Sequence, residues 1–314
     1  MTSLPTVHIL FENRDWLPPL LNALEAAGLD YSEFPVRQGI VDGVPPEGIY
    51  INRMSPSSHT RGHRHSVALT REVLAWLKDH NARVVNGLRA FELEMSKLRQ
   101  YRVLQKYGIR TPRTALAVGA EELIELAKTF DGPFITKHNR GGKGLGIVLF
   151  NSADELALHL ADLSFDFGPN GQVVIQEFIE SAEPHITRVE LVGQKFVLAM
   201  QSSTQDGFEL CPADICQTEL AKENPDNCPV DGSSKFGPSP LSPDDPLVSR
   251  YRALLGGENI EIAGIEFVED AQGRRYTYDI NCTTNYNQAF GQEIGVDGMG
   301  EIAKYLRDVV ALQV

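Results

Sequence analysis

The sequence predicts an α/β protein that becomes α+β in its C-terminal half. Three observations point there. Apolar strands and amphipathic helices alternate through residues 1–90, the pattern of a small, mostly parallel sheet with covering helices. Pro133 to Phe150 reads as a strand, a glycine-rich loop and a second strand. Near the end, Ile260–Glu269 and Arg274–Asn281 flank the turn sequence Asp270-Ala271-Gln272-Gly273, a hairpin signature.

In chain order, Val7 to Phe11 is an expected strand. Trp16 to Leu29 is a helix with Pro18 and Pro19 near its start, where the first turn tolerates proline. Gly48 to Asn52 is a strand, Ser66 to His80 a helix and Arg83 to Asn86 a third strand. This first unit spans residues 1–90, and loops leaving the carboxyl ends of such strands commonly hold ligands. Arg53 lies on one of them and is a candidate for gripping a substrate carboxylate, whereas His59, His63 and His65 read as a solvated loop.

A second unit, residues 91–175, begins with one helix from Glu92 to Tyr107. It continues with a strand at Thr114–Val118, a helix at Glu121–Phe130, the glycine-rich hairpin, a helix at Ala153–Leu163 and a strand at Gln172–Phe178. The third, 176–314, has two strands between His185 and Met200 and a helix at Pro246–Leu255. The acidic hairpin follows, and a helix at Val296–Leu312 closes it. Gln201 to Asp244 shows no period, which marks a functional loop or an excursion.

Composition narrows the partners. A formal charge of −13 leaves no basic footprint for nucleic acid or an anionic membrane. No stretch reads as a membrane span or a signal peptide, so a cytoplasmic protein is expected, without nucleic-acid or membrane partners. Four cysteines in 314 residues do not form a disulfide framework, and Cys211, Cys216 and Cys228 lack the paired spacing of zinc sites.

The glycine-rich loop carries chemistry. Gly141, Gly142, Gly144 and Gly146 let backbone N–H groups face an anion, while Lys137 and Lys143 add positive charge. A Walker loop would need Ser or Thr after Lys143, and a dinucleotide fingerprint would need a following helix; neither is present. What remains is a hairpin closing over phosphates, or a plain mobile turn.

In the last hairpin, a four-residue loop would pair Glu266 with Thr277 and Gly264 with Asp279. Glu266, Thr277, Asp279 and Asn281 would then share one face, with the two carboxylates diagonal at about 7–8 Å. Two carboxylates and an amide are hard oxygen donors suited to Mg²⁺. An acidic solvent face is the alternative.

Taken together these motifs resemble the ATP-grasp superfamily, and within it the RimK-like carboxylate–amine ligases. The likeness begins at Ile51-Asn52-Arg53-Met54-Ser55-Pro56-Ser57 and continues through Lys97-Leu98-Arg99-Gln100 and Gly108-Ile109-Arg110-Thr111-Pro112. It then takes in the loop after Lys137, Val174-Ile175-Gln176-Glu177-Phe178-Ile179 and Arg188-Val189-Glu190. Ala263-Gly264-Ile265-Glu266 and Tyr278-Asp279-Ile280-Asn281 complete it. The resemblance implies an ATP-grasp fold behind an N-terminal Rossmann-like pre-ATP-grasp domain, with ATP and Mg²⁺ as cofactors and Mn²⁺ as an alternative ion.

By position it implies that Lys97 and Lys137 hold ATP phosphates with Gly141, Gly142, Lys143 and Gly144. It places Glu177, Phe178 and Ile179 at the adenine, Glu183 at the ribose, and Glu266, Asp279 and Asn281 at the metal. Arg188 and Lys137 are the implied catalytic residues, and Arg53, Arg188 and Asn285 the implied substrate contacts. Two departures bear on substrate choice. Ser202 to Asp214 replaces a stretch that usually brings basic or amide contacts, and Asn281-Cys282-Thr283-Thr284-Asn285 replaces a final Asn-Ala-Ser-Pro-Gly pattern.

The activity implied is ATP-dependent joining of a carboxylate to an amine through an acyl phosphate. Amino-acid or peptide substrates are expected, with a protein C-terminus as an alternative acceptor and a homo-oligomer as the expected assembly. A carboxylase-like reaction through carboxyphosphate, or a non-catalytic nucleotide-binding protein, are the rival readings.

Overall fold

Val7–Phe11 (β1) and Ile49–Arg53 (β3) are buried along their whole length, as central strands of a parallel sheet covered on both faces must be. The computed structural model, which describes residues 5–142, 144, 146–162, 165–205 and 236–313, places them in the order β2-β1-β3-β4 with Tyr31–Pro35 (β2) and Arg83–Val85 (β4). All pairings are parallel. β2 has no counterpart in the sequence expectation. It is a half-buried edge strand whose Ser32, Glu33 and Pro35 hide any apolar alternation. Pro18–Ala26 (α1) is shorter than expected, with Arg14–Trp16 forming a separate 3₁₀ turn before it, and Ser66–Asp79 (α2) lies as read.

The single helix expected over Glu92–Tyr107 is two helices, Leu88–Glu94 (α3) and Lys97–Lys106 (α4). Ser96 breaks it: its backbone is extended, and its Oγ accepts the Arg99 N–H at 3.4 Å, starting a new helix. Thr114–Val118 (β5), Ala120–Ala127 (α5), Phe134–His138 (β6), Val148–Phe150 (β7), Ala153–Ala161 (α6) and Gln172–Glu177 (β8) follow. Their sheet, β5-β8-β6-β7, is antiparallel. Its core holds Leu123, Phe134, Phe150, Leu156 and Ile175. The glycine-rich hairpin is therefore β6 and β7, as expected.

The third sheet, β11-β10-β9-β12-β13, is antiparallel. It contains His185–Val192 (β9), Lys195–Ser203 (β10), Phe236–Pro238 (β11), Ile262–Glu269 (β12) and Arg275–Asn281 (β13). With a 3₁₀ turn at Ser58–Arg61, the helices Pro246–Gly257 (α7), Gln288–Ile294 (α8) and Gly298–Ala311 (α9) complete the described elements; β11 and α8 were not anticipated.

One face of this sheet packs Val189, Leu191, Ile265, Phe267 and Ile280 against Leu104 of α4 and Tyr251, Leu254 and Leu255 of α7. Each such side chain contributes about 1.5–3 kcal/mol when fully buried. The opposite face is divided. At one end Val192, Leu198, Met200 and Ile262 join Val7, Ile9, Leu20, Leu24 and the α9 residues Ile302 and Leu306 in one core with the first sheet. Its other end is charged. No described helix is long and apolar enough to cross a membrane.

The acidic hairpin differs from expectation in register. Asp270 pairs with Arg274 through its backbone N–H at 3.0 Å, leaving a three-residue loop with Gly273 at φ 72. Further along, Glu266 faces Asp279 while Phe267 faces Thr277, so Tyr278 is an extra residue, a β-bulge. The bulge sends Thr277 to the core face, where Tyr251 bonds its hydroxyl at 2.7 Å. Asp279 and Asn281 stay with Glu266. The two carboxylates are thus directly opposite, not diagonal.

Candidate active site

The charged end of the third sheet is built by register. Arg188 on β9 stands opposite Glu266 on β12, which stands opposite Asp279 on β13. Gly264, expected to leave space beside Asp279, instead faces Asn281 and makes room for Arg188. A Cβ at Gly264 would come within 2.7 Å of the guanidinium carbon. Arg188 spreads its donors over Glu190 Oε1, Glu266 Oε1 and Thr284 Oγ1, each at 2.6 Å. Desolvation acts against its charge, but Glu190 and Glu266 outweigh it, and the guanidinium stays firmly protonated.

Two lysines meet the carboxylates. Lys97, at the start of α4, donates to Asp279 Oδ1 at 2.7 Å. Burial alone would raise the Asp279 carboxyl; Lys97 and Lys137 more than offset it and hold it below the usual range. Glu266 moves the other way, because burial outweighs its contact with Arg188. Lys137 is buried on β6, donating to Tyr101 Oη at 2.9 Å. Desolvation, with Lys97 close by, lowers its ammonium to about 7. Asn139 locks the two lysine-bearing elements together. Its carbonyl accepts the Lys97 N–H and its Oδ1 the Leu98 N–H, both at 3.0 Å, and its amide reaches Gln172 at 2.7 Å.

Lys97, Lys137, Arg188, Glu266 and Asp279 line a cavity of about 350 Å³. Its walls include Lys97, Lys137, Gly141, Gly142, Gly144, Glu177, Phe178, Ile179, Arg188, Glu266, Asp279, Asn281 and Asn285, so one space brings together most of the residues singled out in the sequence. Glu183 is elsewhere, in a smaller cavity with His185, Gln201 and Arg275. Arg53 does not reach the wall. Its buried guanidinium bonds Thr284 O at 2.8 Å and Asn285 Oδ1 at 2.5 Å, fixing that loop from behind. Lys143 and Cys211, Cys216 and Cys228 lie outside the described residues.

Sequence reasoning missed Glu94, Asn139, Ser55 and Thr284. Glu94 gave no distinct signal: in Phe91-Glu92-Leu93-Glu94-Met95 it alternates with apolar residues just as Glu92 does, yet Glu92 stays half-buried and Glu94 is buried.

Among the described residues no cluster of three His, Cys, Asp or Glu side chains forms a metal site. The donor set here is two opposed carboxylates plus the Asn281 amide. That fits a hard divalent ion whose remaining positions are filled by phosphate oxygens and water, and it does not fit zinc, which favours nitrogen and sulfur.

Residues 95–209 match the sequence model of the RimK-like ATP-grasp domain. A probable alpha-L-glutamate ligase of Vibrio vulnificus (strain YJ016) is 31% identical over 127 residues, 40% of this chain and 40% of that protein. Another, from Cellvibrio japonicus (strain Ueda107), is 26% identical over 216 residues, 68% of this chain and 63% of the relative. The chain therefore spans well under two thirds of the first of these relatives.

Among solved structures, the RimK domain ATP-grasp protein of Sphaerobacter thermophilus DSM 20745 superposes with a TM-score of 0.66 at 17% identity, covering 96% of this chain and 98% of its own. D-cycloserine synthetase DcsG gives 0.67 at 17%, covering 97% and 99%. The ATP-grasp ligase PsnB, complexed with a phosphomimetic variant of minimal precursor, Mg and ADP, gives 0.66 at 15%, covering 98% and 100%. At these identities the likeness establishes the fold, which is ATP-grasp.

Proposed function

We propose that this chain, which carries a RimK-like ATP-grasp domain across residues 95–209, is an ATP-dependent ligase that joins a carboxylate to an amine. The observation that carries the reading is a single cavity wall on which Lys97, Lys137 and Arg188 face Glu266 and Asp279 beneath the glycine-rich loop. Phosphoryl transfer asks mainly for position and charge neutralisation, and those groups supply both. The ligase relatives support the same reading.

In this mechanism a substrate carboxylate oxygen attacks the γ-phosphorus of ATP, the bond to the β-phosphate oxygen breaks, and ADP leaves. The amine then attacks the acyl carbon, and the carbon–oxygen bond to phosphate breaks. Lys97 and Lys137 hold the phosphates, and Lys137 regains its full charge when the triphosphate arrives. Backbone groups at Glu177 to Ile179 take the adenine. Arg188, already fixed by Glu190, Glu266 and Thr284, offers its charge to the phosphoryl or acyl oxygen. A divalent ion at Glu266, Asp279 and Asn281, Mg²⁺ or Mn²⁺, would neutralise charge between the phosphates.

We take the substrates to be amino acids or small peptides, since the relatives are named as glutamate ligases and as a cycloserine synthetase. A peptide or protein acceptor is the second reading, favoured by the fold-level likeness to a ligase complexed with precursor.

Isotope transfer tests the reaction. With ¹⁸O in the substrate carboxylate, one label should appear in inorganic phosphate for each amide formed. Unlabelled phosphate, or turnover that depends on bicarbonate instead, sinks the acyl-phosphate reading.

A further inference from the structure

Glu94 is a charged, buried group in the cavity that the mechanism above leaves idle. It ends α3, is 4% exposed, and lines the cavity with Ser55, Ser57, Thr283, Thr284 and Asn285. Thr283 holds one oxygen: its N–H donates to Oε1 at 3.2 Å and its hydroxyl at 2.5 Å. The other oxygen, Oε2, is buried with no hydrogen-bond partner among the described residues. A carboxylate at a helix C-terminus opposes the helix dipole, and a buried carboxylate oxygen without a donor is costly. Glu94 combines both. Its fixed oxygen sets the direction of the free one, which is the arrangement expected of a group waiting for a cationic donor.

We propose that Glu94 Oε2 receives the ammonium group of the amine substrate and takes its proton before the amine attacks the acyl phosphate. This rests on the ligase reading. An ammonium has no lone pair, so one proton must leave before the carbon–nitrogen bond can form. In the balanced step R–NH₃⁺ and the Glu94 carboxylate become R–NH₂ and the Glu94 carboxyl. The nitrogen lone pair then bonds the acyl carbon, the carbon–oxygen bond breaks, and the departing phosphate carries off the second nitrogen proton. Glu94 returns its proton to water.

The surroundings suit the task. Burial raises the Glu94 carboxyl to about 7, with Asp279 adding to the rise, while Thr283 and Arg53 work against it. The Cys282 thiol, also near, is pushed up by burial and stays neutral. A carboxylate near 7 is an effective proton acceptor at neutral pH.

The test uses the full chain, ATP, Mg²⁺ and pooled proteinogenic amino acids, with amides and ADP quantified. A parallel arm adds hydroxylamine, which is largely neutral at pH 7 and traps acyl phosphate as hydroxamate without needing a proton acceptor. Glu94→Gln should lower kcat/KM for amide formation at pH 7 by about 100-fold while hydroxamate formation changes little. Its amide activity should recover at high pH, following the free amine's own titration, and Glu94→Asp should restore part of it at pH 7.

Amide formation unchanged in Glu94→Gln, hydroxamate lost in equal measure, or Glu94→Asp no better than Glu94→Gln would each overturn the assignment. Wild-type protein that makes neither product overturns the ligase reading and this one with it. Wild-type hydroxamate formation keeps the ligase reading alive even where the Glu94 assignment fails.

Discussion

Replacing Lys137 with Met should stabilise the ligand-free protein while destroying its response to nucleotide. Lys137 is 4% exposed, and its Nζ lies 5.4 Å and 5.6 Å from the ring centroids of Tyr101 and Tyr278. Met keeps the stem that packs there and removes the ammonium. Burial, reinforced by Lys97, lowers that ammonium from 10.5 to about 7, against the pull of Asp279 and Glu266. At about 1.4 kcal/mol per pKa unit, the ceiling on the cost of the buried charge at pH 7 is about 5 kcal/mol. Relaxation around such a site, and loss of the attraction to the carboxylates, bring the expected gain to about 1–3 kcal/mol.

The sign follows from proton counting. Between pH 7 and 10.5 the unfolded chain holds a proton on Lys137 that the folded chain has released. Wild-type stability therefore rises with pH in this window, and the advantage of Lys137→Met shrinks from pH 7 toward pH 10. Urea denaturation at both pH values, with and without Mg-ATP, is the assay. Nucleotide should stabilise the wild type alone. A variant less stable than wild type at pH 7, or an advantage that does not depend on pH, refutes the argument.

Two shorter predictions follow from the same face. Gly264→Ala puts a methyl group where the Arg188 guanidinium lies. It should cost about 1–3 kcal/mol and depress kcat more than nucleotide affinity; a variant with wild-type melting and turnover would show that Arg188 is free to move. The glycine-rich loop should tighten over phosphates, so Mg-nucleotide should slow tryptic cleavage after Arg140. Equal cleavage with and without nucleotide argues against a closing role.

What the sequence revealed and what it hid divide along physical lines. The β6–β7 hairpin was legible because β-branched and aromatic flanks bracket a run of glycines, a local signal. The carboxylates of β12 and β13 were legible as residue types, but their geometry was not. The bulge at Tyr278 leaves no trace in hydropathy, yet it brings Glu266 opposite Asp279 and turns Thr277 into the core. The break at Ser96 was masked because residues before and after it continue one amphipathic pattern; the local cap from Ser96 to the Arg99 N–H is joined by a bond from Lys97 N–H to Asn139 O, across 42 positions, that no local pattern reveals. Glu94 was overlooked because a glutamate in a helix is usually at the surface; its burial comes from the loop at Thr283, far along the chain.

The core shared by the first sheet and α9 also constrains how the molecule is made. Val7, Ile9, Leu20 and Leu24 are covered by Ile302, Leu306 and Val310, side chains that leave a ribosome long after the strands they cover. At typical synthesis rates the first strands wait on the order of tens of seconds for their cover. Until then the nascent sheet shows an apolar flank that invites a chaperone or a neighbouring nascent chain. A copy interrupted before Gly298 would keep the charged wall of the cavity in its sequence and lose the layer that closes the opposite end of the same sheet.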